Sequence, residues 1–205
     1  MSYRPTDKTE ARKKSQHALL LSSAIKIVSV RGFQALTIGA LAEEADVATG
    51  TVYKYFDSKA ILCSEVFRLG TEKEVQQVQL AAFPENSMSC EQRLTNAIAI
   101  FAERAIAGYR LAYALTSESV DPIIEIERRI YRQSYADIFE TLIAEGIEQN
   151  EFRPQDARIS ASAMVGTITE TLIGPVGPST PSSTESQKNK LIKSIQQFCL
   201  HAVMK

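Results

Sequence analysis

An all-α fold of about nine helices is predicted, divided between a three-helix unit in residues 1–57 and a larger helical body in residues 58–205. Three observations predict it. Apolar residues recur at three- and four-residue spacing along most of the chain, the signature of amphipathic helices. Residues that start and stop helices punctuate those stretches, among them Gly32, Ser58, Gly108 and the pair Asp121-Pro122. Residues 37–59, TIGALAEEADVATGTVYKYFDSK, read as two short helices joined by a tight turn.

At 205 residues the chain can form one domain or two small ones, and either can bury a proper core. Hydrophobic residues make up 44% and charged residues 23%, an ordinary globular balance. The net charge of −1 points to no particular partner, but its distribution does. Residues 1–31 hold seven Lys or Arg against two acids, a local balance of +5 that leaves −6 for the rest. Three widely spaced cysteines, Cys63, Cys90 and Cys199, argue against a disulfide framework and for a reducing compartment. No C-x-x-C or Cys/His cluster suggests a metal, and no cofactor is expected. No apolar run approaches the roughly 18 residues of a membrane span, so a cytoplasmic protein with no membrane partner is expected.

Residues 1–10 are polar and contain Pro5, which reads as a loose arm. The first helix runs to Arg31 on a stripe of Leu20, Leu21, Ala24, Ile27 and Val28, and Gly32 closes it. Phe33 should plug the small core. Thr37 can cap a second helix whose apolar face is Ile38, Leu41, Ala42 and Ala45. Asp46-Val47 make the turn, and a third helix of roughly seven or eight residues ends near Phe56, with Val52 and Phe56 facing inward. Thr49, Thr51, Tyr53, Lys54 and Tyr55 are left without a core to occupy. An exposed helix of hydroxyls, a lysine and two tyrosines has the chemistry of a DNA reader, since hydroxyls bond base edges and phosphates while lysine neutralises phosphate charge. Gly50 is costly inside a short helix, so a close backbone approach, to DNA or to the preceding helix, must compensate. Ser58 caps the fourth helix. Lys59 sits in its first turn, where the helix dipole disfavours a cation unless a phosphate lies alongside.

The run from Arg31-Gly32-Phe33 through Leu36-Thr37-Ile38, Ala45-Asp46-Val47, Gly50-Thr51-Val52-Tyr53, Phe56 and Ser58-Lys59 closely resembles the tetracycline-repressor (TetR) family of transcriptional regulators. The resemblance covers about 40 residues and implies roles one by one. Thr49, Gly50 and Thr51 fall where that family contacts bases and nearby phosphates. Tyr53, Lys54 and Tyr55 fall where it contacts mainly the phosphate backbone, and Thr37 and Lys59 match flanking phosphate contacts. Ala48 departs from the serine that often precedes the reader helix, which removes one contact and about 1 kcal/mol of capping.

The fourth helix continues to about Ala82 through Ile61, Leu62, Val66, Phe67 and Leu69, and Gly70 within it marks a possible bend. A fifth, residues 90–107, buries Leu94, Ile98, Phe101, Ala102 and Ala105, and a short helix over residues 109–116 follows Gly108. From Pro122 a seventh could run to Gln149, about 40 Å, with Ile124, Tyr131, Tyr135, Ile138, Phe139, Leu142 and Ile143 inward. Asp156 caps an eighth helix rich in small residues, which ends near Ile173 before a Gly/Pro/Ser loop over residues 174–183. The last helix, residues 184–204, places Leu191, Ile192, Ile195, Phe198, Cys199, Ala202 and Val203 on one side.

The final two helices resemble the pair that the family joins across a two-fold axis, which implies a homodimer matched to a palindromic DNA operator; the alternative is that they complete the monomer core. The body should enclose a pocket for a small organic effector. Its candidates are Phe101, Arg104, Tyr109, Tyr113, Tyr131, Tyr135, Phe139, Met164, Thr167 and Glu170, although aromatics at helical spacing also serve as plain core. The expected function is a ligand-responsive DNA-binding regulator, a repressor that releases its operator on effector binding. The alternative is an effector-independent activator or architectural protein. No enzyme is expected: the two histidines, His17 and His201, lie near opposite ends, and Glu118 and Asp121 sit in a loop.

Overall fold

The computed structural model describes residues 7–118, 122–176 and 184–205. The described residues form nine α-helices and a 3-10 turn. They are α1 (Asp7–Arg31), the 3-10 turn (Phe33–Ala35), α2 (Ile38–Glu44), α3 (Thr49–Val52), α4 (Lys59–Ala82), α5 (Cys90–Ala107), α6 (Tyr109–Thr116), α7 (Pro122–Glu148), α8 (Ala157–Val176) and α9 (Glu185–His201). None of these helices is long and apolar enough to cross a membrane. Asp121 and residues 177–183, part of the expected cap and loop, lie outside the described residues, as do residues 1–6 of the expected arm.

Local chemistry sets most boundaries. Gly32 adopts φ 78° and its N–H closes α1 on the Val28 carbonyl at 2.9 Å, a conformation that glycine adopts without steric cost. Thr37 Oγ1 accepts from Ala40 N at 3.0 Å and Ser58 Oγ from Ile61 N at 3.2 Å, so each hydroxyl satisfies an otherwise unpaired helical donor. Asp46 turns the chain between α2 and α3 at φ 52°. Ser89 with Gln92, and Thr184 with Gln187, form reciprocal capping boxes at the starts of α5 and α9.

Three expectations need correction. The reader helix is shorter than seven or eight residues. After Val52 the bonds tighten to Lys54 N–Thr51 O (3.1 Å) and Tyr55 N–Val52 O (3.0 Å), so the chain leaves the α-helix as a turn. Ala48 supplies no side-chain cap, and a four-residue helix gains little from propagation. At the other end of the chain α8 runs past Ile173 to Val176; a proline so near a helix end forfeits few bonds. Phe198 is 63% exposed instead of facing inward. The buried stripe of α9 is Ile192, Ile195, Cys199 and Val203, and Phe198 precedes Cys199 by one residue, about 100° around the helix.

Two buried clusters result. One joins α1 through α4, centred on Leu20, Leu41, Val52, Phe56 and Phe67, and draws in Ala114 and Leu115 from α6 with Ile124 and Tyr131 from α7. The other fills the body between α4, α5, α7, α8 and α9 around Leu94, Ile98, Phe139, Leu142 and Ile168. Helix α4 belongs to both, and α6 lies against both α1 and the body.

Candidate nucleic-acid interface and effector cavity

Val52 and Phe56 are fully buried, and this anchors the reader by one face. The opposite face is open. Thr49, Gly50 and Lys54 are exposed and Tyr53 is 56% exposed. Thr37 at the start of α2 and Lys59 at the start of α4 are exposed as well. Thr51 and Tyr55 are half-buried, and the Tyr55 ring lies 6.1 Å from that of His17. The eight residues expected to meet DNA therefore gather on α2, α3 with its following turn, and the start of α4. Nothing lies within 4 Å of where a Cβ on Gly50 would stand, so packing against α2 does not demand the glycine.

In the body, a cavity of about 100 Å³ lies between α4, α5, α6, α7 and α8. Phe67, Thr71, Glu74 and Val78 of α4 face Phe101 and Arg104 of α5, Leu111 and Leu115 of α6, and Arg128, Tyr131, Arg132 and Tyr135 of α7. Its walls are mostly apolar, and its polar groups are largely committed. Arg104 makes a two-pronged ion pair with Glu74, one arm at 2.8 Å. The Tyr131 hydroxyl reaches Glu72 Oε1 at 3.3 Å, and Tyr135 stacks on Phe101 with centroids 4.4 Å apart. Burial, reinforced by the nearby Glu72 and Glu74 respectively, raises both phenols above their ordinary range, so they remain neutral donors.

Four of the ten expected pocket residues line this cavity: Phe101, Arg104, Tyr131 and Tyr135. The other six do not. Tyr109 is exposed with Arg110 over its ring, Tyr113 is half-buried against the body core, and Phe139 and Met164 are core residues. Thr167 is half-buried and Glu170 exposed, while Thr169 is the α8 residue at the cavity. Two residues along a helix turn the side chain by about 200°, which takes Thr167 to another face. No residue of α4 was expected, and α6 was expected to contribute Tyr109 and Tyr113, whereas Leu111 and Leu115 of that helix line the cavity instead. Arg128, Tyr131, Arg132 and Tyr135 do form one helical stripe, and that mixture of arginine and tyrosine was an available signal.

The cavity wall also holds the reader. Glu118, which follows α6, accepts from Phe33 N at 2.9 Å and Gln34 N at 3.1 Å, across 85 and 84 residues of chain. Arg110 on α6 donates to the Val30 carbonyl at 2.9 Å. Arg128 in turn donates to the carbonyls of Leu115 (2.8 Å) and Glu118 (3.0 Å), so a residue of the cavity fixes the end of α6. The loop acid Glu118 is thus a cap on the 3-10 turn that precedes α2.

Comparison with known proteins places this arrangement. Residues 20–66 match the bacterial regulatory proteins of the tetR family. The chain is 21% identical over 164 residues to the fatty acid metabolism regulator protein of Bacillus subtilis, covering 78% of this chain and 84% of that one. It is 46% identical over 55 residues to the transcriptional repressor KstR of Mycolicibacterium smegmatis, a match confined to 27% and 26% of the two chains. The structure of the regulator FadR from Bacillus subtilis in complex with stearoyl-CoA superposes with a TM-score of 0.73 at 18% identity, over 87% of this chain and 97% of that one. A helix-turn-helix with its outer face turned to solvent, joined to a helical body, defines a DNA-binding transcriptional regulator. Over residues 20–66 the chain carries the N-terminal domain of the bacterial tetR-type regulators.

Proposed function

We propose that the chain acts in the cytoplasm as a homodimeric repressor, held on a palindromic operator by Thr37, Thr49, Gly50, Thr51, Tyr53, Lys54, Tyr55 and Lys59 and released by a small amphiphile. Residues 1–57 serve as the DNA-binding part and residues 58–205 as the effector and dimer part. One observation carries the ligand response: the cavity and the reader share α6, through Arg128 on one side and Glu118 on the other. A drug-sized ligand needs roughly 300–1,000 Å³. The cavity offers about 100 Å³, so filling it has to move its walls. Displacement of α6 or α4 changes how the reader is held, and two readers then no longer match successive major grooves.

The lining favours a long apolar group with a polar or anionic head near Arg104, Arg128 and Arg132, and the stearoyl-CoA bound by the FadR relative has that character. The test is equilibrium binding to a labelled duplex from the DNA upstream of the gene, with and without saturating long-chain acyl-CoA. An affinity loss of about 5- to 150-fold is expected, the usual size of such coupling. Equal binding in the presence of every chain length would contradict the effector half of the proposal.

A further inference from the structure

Beside the reader lies a cleft that shares Lys54 and Tyr55 with the DNA-contact set above and adds three residues of α1 that the set does not include. Lys13, Lys14 and His17 of α1 line an open cleft of about 560 Å³ together with Lys54 and Tyr55 from the turn after α3. Its three lysines are exposed, and among the described residues none of them makes an ion pair. Lys26, further along α1, is by contrast committed to Glu44 at 2.5 Å. Glu65 of α4 lies 3.0 Å from Nε2 of His17, a residue of the cleft, so this carboxylate is also occupied. His17 stacks on the fully buried Phe56, centroids 5.1 Å apart, and this ring packing fixes the floor where α1, α4 and the reader meet.

We propose that Lys13, Lys14, Lys54 and the Tyr55 hydroxyl form a phosphate site that takes the DNA backbone flanking the groove entered by α3, with His17 as the residue that positions its floor. The inference rests on the DNA-binding reading and extends it from the reader to α1. Three unpaired ammonium groups around one concavity suit a phosphodiester, and a hydroxyl adds a directional donor. Such a contact fixes the placement of the protein on the duplex and carries no base information.

The experiment measures binding of the full chain to the upstream duplex and to a scrambled duplex, between about 50 and 200 mM salt. In Lys13→Gln/Lys14→Gln the slope of log K against log salt should fall by about 2 per bound chain, with affinity for both duplexes reduced in parallel. Lys13→Arg/Lys14→Arg should restore both. Lys73→Gln/Arg129→Gln, which removes the same charge from exposed positions on α4 and α7, should leave the slope unchanged. An unchanged slope in the Lys13/Lys14 variant overturns the site, as does an equal fall in the Lys73/Arg129 variant. A loss confined to the upstream sequence overturns it too, because it would make these lysines base readers. Wild-type protein that holds no duplex at any salt overturns the DNA reading beneath it.

Discussion

Gly50 carries the sharpest consequence of a single residue. A glycine in a helix costs up to about 1 kcal/mol against alanine, and no neighbouring atom of the chain requires it here. In the proposed DNA-binding reading, the glycine lets the backbone approach DNA closely. Gly50→Ala should therefore leave thermal stability equal or slightly raised while operator affinity falls at least about tenfold, as a close-contact site requires. Thermal unfolding and duplex titration on the same preparation decide it; undiminished affinity would remove Gly50 from the interface. At this scale the sequence was most informative where a residue's role is local. Thr37, Gly32 and Ser58 are caps or closures that neighbouring residues define, and the burial of Val52 and Phe56 follows from helical spacing. Tyr55 was harder to place, because it packs against a core assembled from distant helices and beside His17, 38 positions earlier.

Among the elements, α6 is the one whose importance its own sequence conceals. Eight residues, no side-chain cap and an exposed Tyr109 suggest a mere connector. Its position comes from elsewhere: Arg128 clamps its C-terminal carbonyls and Glu118 reaches back to the 3-10 turn. Glu118 stands close in sequence to Asp121 and reads locally as a loop acid, and no pattern of spacing links it to Phe33. Glu118→Ala leaves two backbone donors without their carboxylate, a change that usually costs about 1–3 kcal/mol when water cannot replace it. A lower thermal midpoint is expected, together with a smaller change in operator affinity on adding the effector. If the variant responds to effector as fully as the parent, the coupling runs through α4 alone. The same contrast separates the pocket residues. Tyr131 and Tyr135 could be found from their stripe on α7, whereas Glu74, Thr71 and Leu111 become neighbours of Arg104 only after α4, α5 and α6 have packed.

For the whole molecule, the surface of α8 and α9 bears on assembly. Ile159 is 65% exposed, and Ser162, Ala163 and Gly166 leave the same helix free of bulk over two turns. Phe198 on α9 is exposed in the isolated chain, and in the proposed homodimer the partner would cover it. A Phe198→Glu variant should sediment as a monomer at concentrations where the parent is a dimer, and should lose palindromic-site affinity with its fold intact by circular dichroism. A parent that sediments as a monomer, or a variant that remains dimeric, would move the interface elsewhere. Helical architecture was largely legible from periodicity and caps, but oligomeric surfaces were not, because an apolar stripe does not say which chain covers it.

The most direct measurement is a DNase footprint on the DNA upstream of the gene, with wild-type protein and a Tyr53→Ala variant at low salt. The account predicts a protected two-fold symmetric site, half-sites about one helical turn or a multiple apart, that fades for the variant. Protection that is absent for the wild type, or identical for the variant, would contradict it.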